Sequence, residues 1–238
     1  MVTAIILAGG TGSRVGANVP KQFINVLGKP VIAYTLENFE KFKKIDSIEI
    51  VCHKDWKDKV KEIVNEYNIS KVKWIVDGGK TFQESVKNGV YNLKGKIGNE
   101  DIVVITFAVS PLTEEDVIND SIEVCQEKGN AISSEDIVLC TCIKDDEFST
   151  TQNILRESLK GFSNPWTFKF GEVCEAYERA EQLDILDKIE PHTTSLFFAL
   201  GKRLYFSKSS PLNFKITHKE DLDLFEGIKL LESKRRGE

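Results

Sequence analysis

A glycine-rich segment near the start of the sequence, with cationic side chains close by, is the feature most suited to chemistry. Its residues are Leu7, Ala8, Gly9, Gly10, Thr11, Gly12, Ser13 and Arg14. Glycines that follow a buried strand let backbone N–H groups approach phosphate oxygens, an approach that side chains would block. Lys21, in the segment PKQF (20–23), adds a second fixed positive charge to that of Arg14. We interpret these two segments as an anion site of triphosphate size.

The spacing of the glycines excludes two common phosphate-binding motifs. No Gly-Lys-Ser/Thr sequence ends the loop, as a Walker A motif requires, and the G-x-G-x-x-G spacing of dinucleotide-binding proteins is absent. An ordinary strand-to-helix glycine turn with two solvated cations is the alternative interpretation. The combination of the loop with Arg14 and Lys21 favours the phosphate site.

Apolar stretches alternate with amphipathic ones along the first half of the chain, which indicates the elements that position this loop. Strands are predicted at 2–7, 48–52, 72–76 and 102–107. Helices are predicted at 30–42, 55–67 and 81–93, and another begins after Thr113, which we expect to cap it. This alternation predicts a doubly wound, mostly parallel α/β sheet with helices on both faces and strand 102–107 at its centre.

The alternation breaks after residue 137. Residues 137–143 and 149–155 predict two strands that pair as a hairpin across the turn at 145–147. Further on, helices are predicted at 168–180 and 219–231, and short strands at 197–200 and 204–207. We therefore predict one domain, residues 1–238, that carries a protruding β-arm at about 137–160.

The composition narrows the class of protein. The 238 residues are 41% hydrophobic and 29% charged, which excludes wholesale disorder, and the formal net charge of −5 disfavours a nucleic-acid partner. No apolar run approaches the roughly 20 residues of a membrane helix, so no membrane partner is expected. The N-terminus lacks the features of a signal peptide, which predicts a cytoplasmic protein. The five cysteines include no C-x-x-C pair and are expected to be reduced.

Three segments, in order along the chain, carry a resemblance to a known family. The glycine loop followed by PKQF and GKPV (28–31) resembles the signature of cytidylyltransferases. Residues 78–89 resemble the segment G-G-x-x-R-x-x-S-V-x-N-G, and residues 213–217 followed by 220–222 resemble N-I-K-I-T…E-D-L. Together they are most similar to the family of 2-C-methyl-D-erythritol 4-phosphate cytidylyltransferase and ribitol-5-phosphate cytidylyltransferase.

The resemblance implies a fold, a reaction and partners. The fold is a doubly wound sheet whose β-arm exchanges between the subunits of a homodimer. In the reaction, the phosphate of a small phosphorylated polyol attacks the α-phosphorus of CTP, pyrophosphate leaves, and a CDP-linked product forms. Mg²⁺ is the implied cofactor. Such a step depends on alignment and charge neutralisation, with no covalent enzyme intermediate.

The resemblance also assigns roles to residues of this sequence. Arg14, Lys21 and Lys215 are the implied catalytic cations: the first two hold the triphosphate, and Lys215 approaches the α-phosphate. The implied nucleotide-binding residues are those of 7–13 together with Gly79, Lys80, Ser85 and Ala108. The implied acceptor-binding residues are Ser110, Arg156, Trp166, His192 and Thr193.

This chain departs from the family pattern on the acceptor and metal side. The family motif H-D-A-x-R-P-F, whose Asp serves magnesium, is T-F-A-V-S-P-L at 106–112, so Phe107 and Ser110 replace the Asp and the Arg. Phe82 stands at the arginine position of the glycine-glycine segment. The metal ligands are therefore unassigned, since magnesium prefers oxygen.

The departures leave three interpretations of the function. The first is an active cytidylyltransferase with an altered acceptor or metal site. The second is a nucleotide-binding homologue without catalysis, and the third is a sugar-nucleotidyltransferase that uses another nucleoside triphosphate. Retention of Arg14, Lys21 and Lys215 on three separate segments favours the first.

Overall fold

The computed structural model describes residues 1–10 and 19–237, and its centre is a β-sheet flanked by α-helices. The strands are β1 (Val2–Ala8), β2 (Asn25–Val26), β3 (Lys29–Pro30), β4 (Ser47–Cys52), β5 (Val72–Asp77), β6 (Ile102–Phe107), β7 (Asn130–Asp136), β8 (Thr141–Ile143), β9 (Gln152–Ile154), β10 (Lys160–Lys169) and β11 (Phe206–Ser207). The α-helices are α1 (Val31–Lys41), α2 (Lys57–Glu66), α3 (Phe82–Asn92), α4 (Glu115–Lys128), α5 (Phe170–Gln182), α6 (Thr193–Ala199) and α7 (Lys219–Arg236).

The main sheet has the order β11-β7-β10-β6-β1-β4-β5 within the described residues. Strands β6, β1, β4 and β5 are parallel to one another, β10 runs antiparallel between β6 and β7, and β11 is parallel to β7. The predicted doubly wound, mostly parallel sheet is confirmed, and β6 occupies its middle as expected. The antiparallel strand β10 is an addition that the sequence pattern does not predict.

Helices cover both faces of the sheet because the side chains of β1 alternate between them. Ala4 and Ile6 pack on one face with apolar residues of α1 and α4, and Ile5 and Leu7 pack on the other face with those of α3 and α5. Full burial of a side chain such as Ile5 contributes about 1.5–3 kcal/mol to folding. The carboxyl end of β1 is thereby held firmly where the glycine loop begins.

Two predicted features need correction. Residues 197–200 are predicted as a strand, but Thr193–Ala199 is a helix that buries Leu196 and Phe197 and exposes Phe198. The ring of Phe197 packs 4.6 Å from that of Phe168. Thr113 does not cap α4, whose N-cap is Glu114, because the Thr113 hydroxyl donates to Asn213 Oδ1 at 2.8 Å.

A two-stranded hairpin stands apart from the main sheet, within the range predicted for the arm. Strands β8 and β9 pair antiparallel between the end of β7 and the start of β10. Asp145 holds the turn, since its Oδ2 accepts hydrogen bonds from the backbone N–H of Thr151 at 2.6 Å and from its hydroxyl at 2.7 Å. Large apolar side chains on the arm face solvent, and Phe148 is 90% exposed.

The cysteine side chains are divided between the core and the arm. Cys52, Cys125 and Cys174 are buried, Cys140 and Cys142 lie exposed on the arm, and all five are free thiols within the described residues. Burial raises the pKa of Cys52 to about 11 and that of Cys125 to about 12.

In the described part of the chain, no helix is both long and apolar enough to cross a membrane.

Candidate active site

A cavity of about 350 Å³ opens at the carboxyl edge of the sheet, where β1, β5 and β6 end. In open α/β sheets, ligands bind in the crevice outside this edge. Its wall brings together most of the residues predicted to bind the nucleotide or to catalyse: Leu7, Gly9, Gly10, Lys21, Gly79, Lys80, Ser85 and Lys215. We call it the nucleotide cavity. The predicted residues Thr11, Gly12, Ser13 and Arg14 lie outside the described residues.

Two of the predicted cations come from opposite ends of the chain and meet at this cavity. Lys21 Nζ donates a hydrogen bond to the backbone oxygen of Ile216 at 2.6 Å. The backbone N–H of Ile216 donates in turn to Val109 O at 2.9 Å, just beyond the end of β6. Lys215, the neighbour of Ile216, places its Nζ 4.2 Å from the centroid of the Phe107 ring. The first and last motifs are therefore parts of one site.

Gln22 lies in the wall of the nucleotide cavity, and the sequence analysis assigned it no role of its own. Its side chain is buried, and its Nε2 donates to Ala8 O at 2.7 Å and to Gly10 O at 3.0 Å. A side-chain amide has two N–H groups, so one glutamine can hold two points of the glycine loop. The sequence signal that could have identified Gln22 is its position inside the segment PKQF (20–23), between a lysine and an aromatic residue.

The turn between β5 and α3 forms a second wall of the nucleotide cavity. A Cβ on Gly79 would lie 2.1 Å from Glu84 Cβ, so this position accepts glycine alone without rearrangement. Ser85 Oγ accepts from the Gly79 N–H at 3.0 Å and donates to Thr81 O at 2.9 Å. Thr81 and Glu84 form a capping box at the start of α3. Ser85 lies in the wall of the nucleotide cavity, and its hydroxyl holds the turn.

A second cavity, of about 500 Å³, lies beside the first, and we call it the acceptor cavity. Its wall includes Trp166 and His192, both predicted for the acceptor, and Val138 from the base of the arm. Trp166 Nε1 donates to Ser163 O at 2.8 Å, which fixes the indole ring. Phe107, His192 and Lys215 line both cavities, so the two spaces share one wall.

Four predicted site residues are placed differently. Ala108, Ser110 and Thr193 are fully buried behind the cavity walls, so their side chains cannot reach a ligand in this arrangement. The Thr193 hydroxyl lies 3.1 Å from the Tyr177 hydroxyl in the core. Arg156 lies on the arm, where its Nη1 donates to Val138 O at 3.0 Å, outside the described walls of both cavities. Ala108 and Ser110 lie in the loop that follows β6, and Thr193 is the first residue of α6. Their side chains point into the core and support the site through packing.

The described residues do not fit a magnesium ion held by the chain at the nucleotide cavity. Magnesium requires oxygen ligands, usually one or two carboxylates. The described part of that wall contains no carboxylate, and no group of three metal-ligating side chains occurs elsewhere among the described residues. At the end of β6, where the resembling family has its Asp, the side chain is the ring of Phe107.

The fold and the site define a class of protein: an α/β nucleotide-binding domain with a glycine loop, converging lysines and an adjoining second cavity. Residues 2–230 match the family IspD, 2-C-methyl-D-erythritol 4-phosphate cytidylyltransferase. The chain belongs to this family, which generally depends on a divalent cation.

Individual relatives agree with that assignment. The chain is 40% identical to "Ribitol-5-phosphate cytidylyltransferase" of Lacticaseibacillus paracasei, over 95% of this chain and 97% of that protein. It is 34% identical to "2-C-methyl-D-erythritol 4-phosphate cytidylyltransferase" of Clostridium novyi, over 94% and 95%. The solved structure of 4-diphosphocytidyl-2C-methyl-D-erythritol synthase from Anaerococcus prevotii is similar in fold, with a TM-score of 0.79 and 22% identity over 97% of this chain and 96% of that one.

Proposed function

We propose that this chain is a CTP-dependent cytidylyltransferase that transfers CMP to a small phosphorylated polyol. An oxygen of the acceptor phosphate forms a bond to the α-phosphorus of CTP, and the bond from that phosphorus to the bridging oxygen breaks. Pyrophosphate carries away the electron pair, and a CDP-linked polyol remains. The observation that carries the proposal is that Lys215 lies in the wall shared by the nucleotide and acceptor cavities.

The chain's own residues supply orientation and positive charge. Lys21 and the glycine loop bind the triphosphate at the carboxyl end of β1, and Gln22 holds the first part of that loop through Ala8 O and Gly10 O. Lys215 lies between the attacking phosphate and the α-phosphate. Its positive charge offsets the repulsion between these two negatively charged groups as they approach. A phosphate dianion is already a competent nucleophile, so the step needs no general base.

No step of the proposal passes through magnesium. The described wall of the nucleotide cavity offers lysines and backbone N–H groups but no carboxylate, so the ion has no described ligand on the chain. The implied magnesium dependence stays a prediction, as does the expected cytoplasmic location. Each nucleotide is therefore tested with and without Mg²⁺.

The acceptor is proposed from the relatives and the second cavity. The names of the two curated relatives give ribitol 5-phosphate and 2-C-methyl-D-erythritol 4-phosphate, both small phosphorylated polyols. The acceptor cavity, of about 500 Å³, places Trp166 and His192 beside Lys215. Ribitol 5-phosphate is the first acceptor to test, since the relative named for it shares the higher identity.

A homodimer that uses the arm is part of the proposal. The arm presents Val138, Leu139, Phe148 and Leu155 to solvent, an unusual density of apolar groups for a free hairpin. Val138 and Leu139 also line the acceptor cavity, so a partner subunit that covers the arm would lie next to the acceptor. A second copy of the chain is the occupant that the family resemblance implies.

The alternative function is nucleotide binding without transfer. Phe107 and Phe82 replace a magnesium-binding carboxylate and an arginine of the family pattern, and Ser110 replaces a second arginine. That alternative predicts stabilisation of the fold by CTP and no pyrophosphate release with either acceptor. Preferential stabilisation by ATP, GTP or UTP would instead indicate a transferase for another nucleotide.

Pyrophosphate release from CTP with each polyol phosphate tests the proposal. The variant Lys21→Met keeps the length of the side chain and removes its charge, and we expect it to lower kcat/KM by roughly 100-fold or more. Lys54→Met, at an exposed position outside the described walls of both cavities, is the matched control and should retain activity. Equal rates for the two variants would refute the role of Lys21.

A further inference from the structure

The end of β6 holds an aromatic ring against an ammonium group at the wall between the two cavities. The ring of Phe107 is half-buried, and Lys215 Nζ lies 4.2 Å from its centroid. A cation within about 6 Å of a ring centroid, over the ring face, is attracted by the negative potential of that face. The contact therefore fixes the position of a lysine that lines both cavities and belongs to the last motif.

Neighbouring rings prevent Phe107 from turning away. Trp166 meets it edge to face, with centroids 5.6 Å apart and ring planes at 83°, and Phe82 packs 6.0 Å away. His192 closes the cluster against both Phe82 and Trp166, at 5.7 Å from each. Phe82 and Trp166 therefore pack directly against Phe107, and His192 packs against both of them.

The backbone that carries Lys215 is fixed on both sides. Asn213 is buried and its side-chain oxygen accepts from Thr113 at 2.8 Å, while Ile216 N–H donates to Val109 O at 2.9 Å. Both anchors belong to the loop that follows β6. The strand that presents the ring therefore also sets the height of the lysine above it.

We infer that Phe107 is a positioning residue for the transfer reaction, which seats the Lys215 ammonium over its ring without neutralising it. The inference rests on the proposed function. A carboxylate at this position would pair with Lys215 and cancel its charge unless a metal ion intervened. A ring attracts the ammonium through its quadrupole and adds no negative charge, so this contact does not itself offset the charge that Lys215 brings to the phosphates. The chain thereby dispenses with a metal-binding carboxylate at the end of β6.

Stepwise fluorination of the ring tests the inference. Phe107 is replaced by 4-fluoro-, 3,5-difluoro- and 3,4,5-trifluorophenylalanine, which keep the shape of the ring and weaken the potential of its face. We expect kcat for CMP transfer to fall at each step, to roughly a tenth for the trifluoro ring. The kcat of Phe107→Leu should fall at least as far as that of the trifluoro variant, and Phe107→Tyr should retain most of the activity. Phe42→Leu, at the C-terminal end of α1 and outside the described walls of both cavities, is the control and should retain activity.

A second readout does not depend on turnover. In protein labelled with ¹³C-lysine, the ε-methylene of Lys215, assigned with Lys215→Arg, should show an upfield ring-current shift that is lost in Phe107→Leu. The shift should also weaken stepwise in the fluorinated series, as the attraction that seats the ammonium weakens. Absence of the shift in the unsubstituted protein would refute the inference that the Lys215 ammonium lies over the Phe107 ring. A normal shift with equal kcat across the fluorinated rings would overturn the positioning role.

The same experiments separate this inference from the proposed function. If the unsubstituted protein releases no pyrophosphate from CTP with either polyol phosphate, the proposed function fails and the positioning role for transfer fails with it. The ring-current shift then decides whether the ring seats the ammonium in a protein that only binds nucleotide.

Discussion

A buried carboxyl group in the sheet should make the stability of this protein depend on pH. Glu49 lies on β4, fully buried, and its Oε2 accepts from Asn92 Nδ2 at 2.5 Å. Its other oxygen, Oε1, finds no hydrogen-bond partner among the described residues. Burial raises the pKa of this carboxyl from 4.5 to about 8, although the Asn92 hydrogen bond and the charge of Lys96 act in the opposite direction. At neutral pH the group is protonated in the folded chain.

The size of the effect follows from the two pKa values. The folded state keeps a proton that the unfolded state releases between pH 4.5 and about 8. The contribution is therefore fully present below pH 4.5 and is lost as the pH rises through that interval. At about 1.4 kcal/mol per pH unit, the whole interval corresponds to about 5 kcal/mol of unfolding free energy, of which about 3 kcal/mol is already lost at pH 7.

The assay is urea unfolding of the unsubstituted protein and of Glu49→Gln at pH 5, 6, 7 and 8. An amide is neutral throughout, so the variant gains relative stability as the pH rises. The difference in unfolding free energy should change by about 1.4 kcal/mol per pH unit up to pH 7 and then level off above pH 8. The test is the slope of this difference against pH and not its size at any one pH. An unsatisfied amide group in the variant would change the difference by the same amount at every pH.

A matched control isolates burial as the cause. Glu62→Gln makes the same chemical change on α2 at a side chain that is 67% exposed, and its effect should not vary over this pH range. A pH-independent difference between Glu49→Gln and the unsubstituted protein would refute the reasoning, because it would mean that Glu49 ionises near its ordinary pKa.

Three further predictions concern the site and the arm. Gly79→Ala should abolish the thermal shift with CTP, because the new Cβ would lie 2.1 Å from Glu84 Cβ and must displace the turn; an unchanged shift would contradict that geometry. Gln22→Met removes the two hydrogen bonds to the glycine loop and should raise KM for CTP roughly 10-fold or more, with a smaller effect on kcat; steady-state kinetics measure it. Phe148→Asp should shift the mass measured by light scattering toward the monomer, and an unaltered dimer would exclude this part of the arm from the interface.

Helices cover both faces of the sheet, so its central strands are apolar at nearly every position. Such continuous apolar runs are visible in the sequence, and these strands could therefore be predicted. The predicted strand 102–107 agrees with β6 at both ends. Strands β7 and β10 could not be predicted in the same way, since they bury polar side chains that are hydrogen-bonded inside the fold. Ser133 Oγ donates to Lys208 O at 2.8 Å, and Thr167 Oγ1 donates to Ser121 Oγ at 3.0 Å. A pattern of apolar residues carries no signal for such strands.

The site was predictable in part. Glycines and cations predict a phosphate site by residue type, and this is how the sequence analysis singled out Lys21 and the loop. The contact of Lys21 with the segment around Ile216 joins residues 195 positions apart, so only the family resemblance could place Lys215 beside it. Burial of Ser110 and Thr193 and the support that Gln22 gives to the loop depend on tertiary packing, which spacing along the chain does not encode.

The hydrogen bond from Lys21 to Ile216 O also bears on when the protein becomes able to bind its ligand during synthesis. Strands β1 to β10 are translated before residue 170, so most of the sheet can assemble while residues 170–238 are still being made. Lys215 and the carbonyl that anchors Lys21 emerge from the ribosome only after that. A nascent chain therefore carries the turn around Gly79 before its C-terminal counterpart, and CTP can help to complete the fold only once residues 213–217 have emerged.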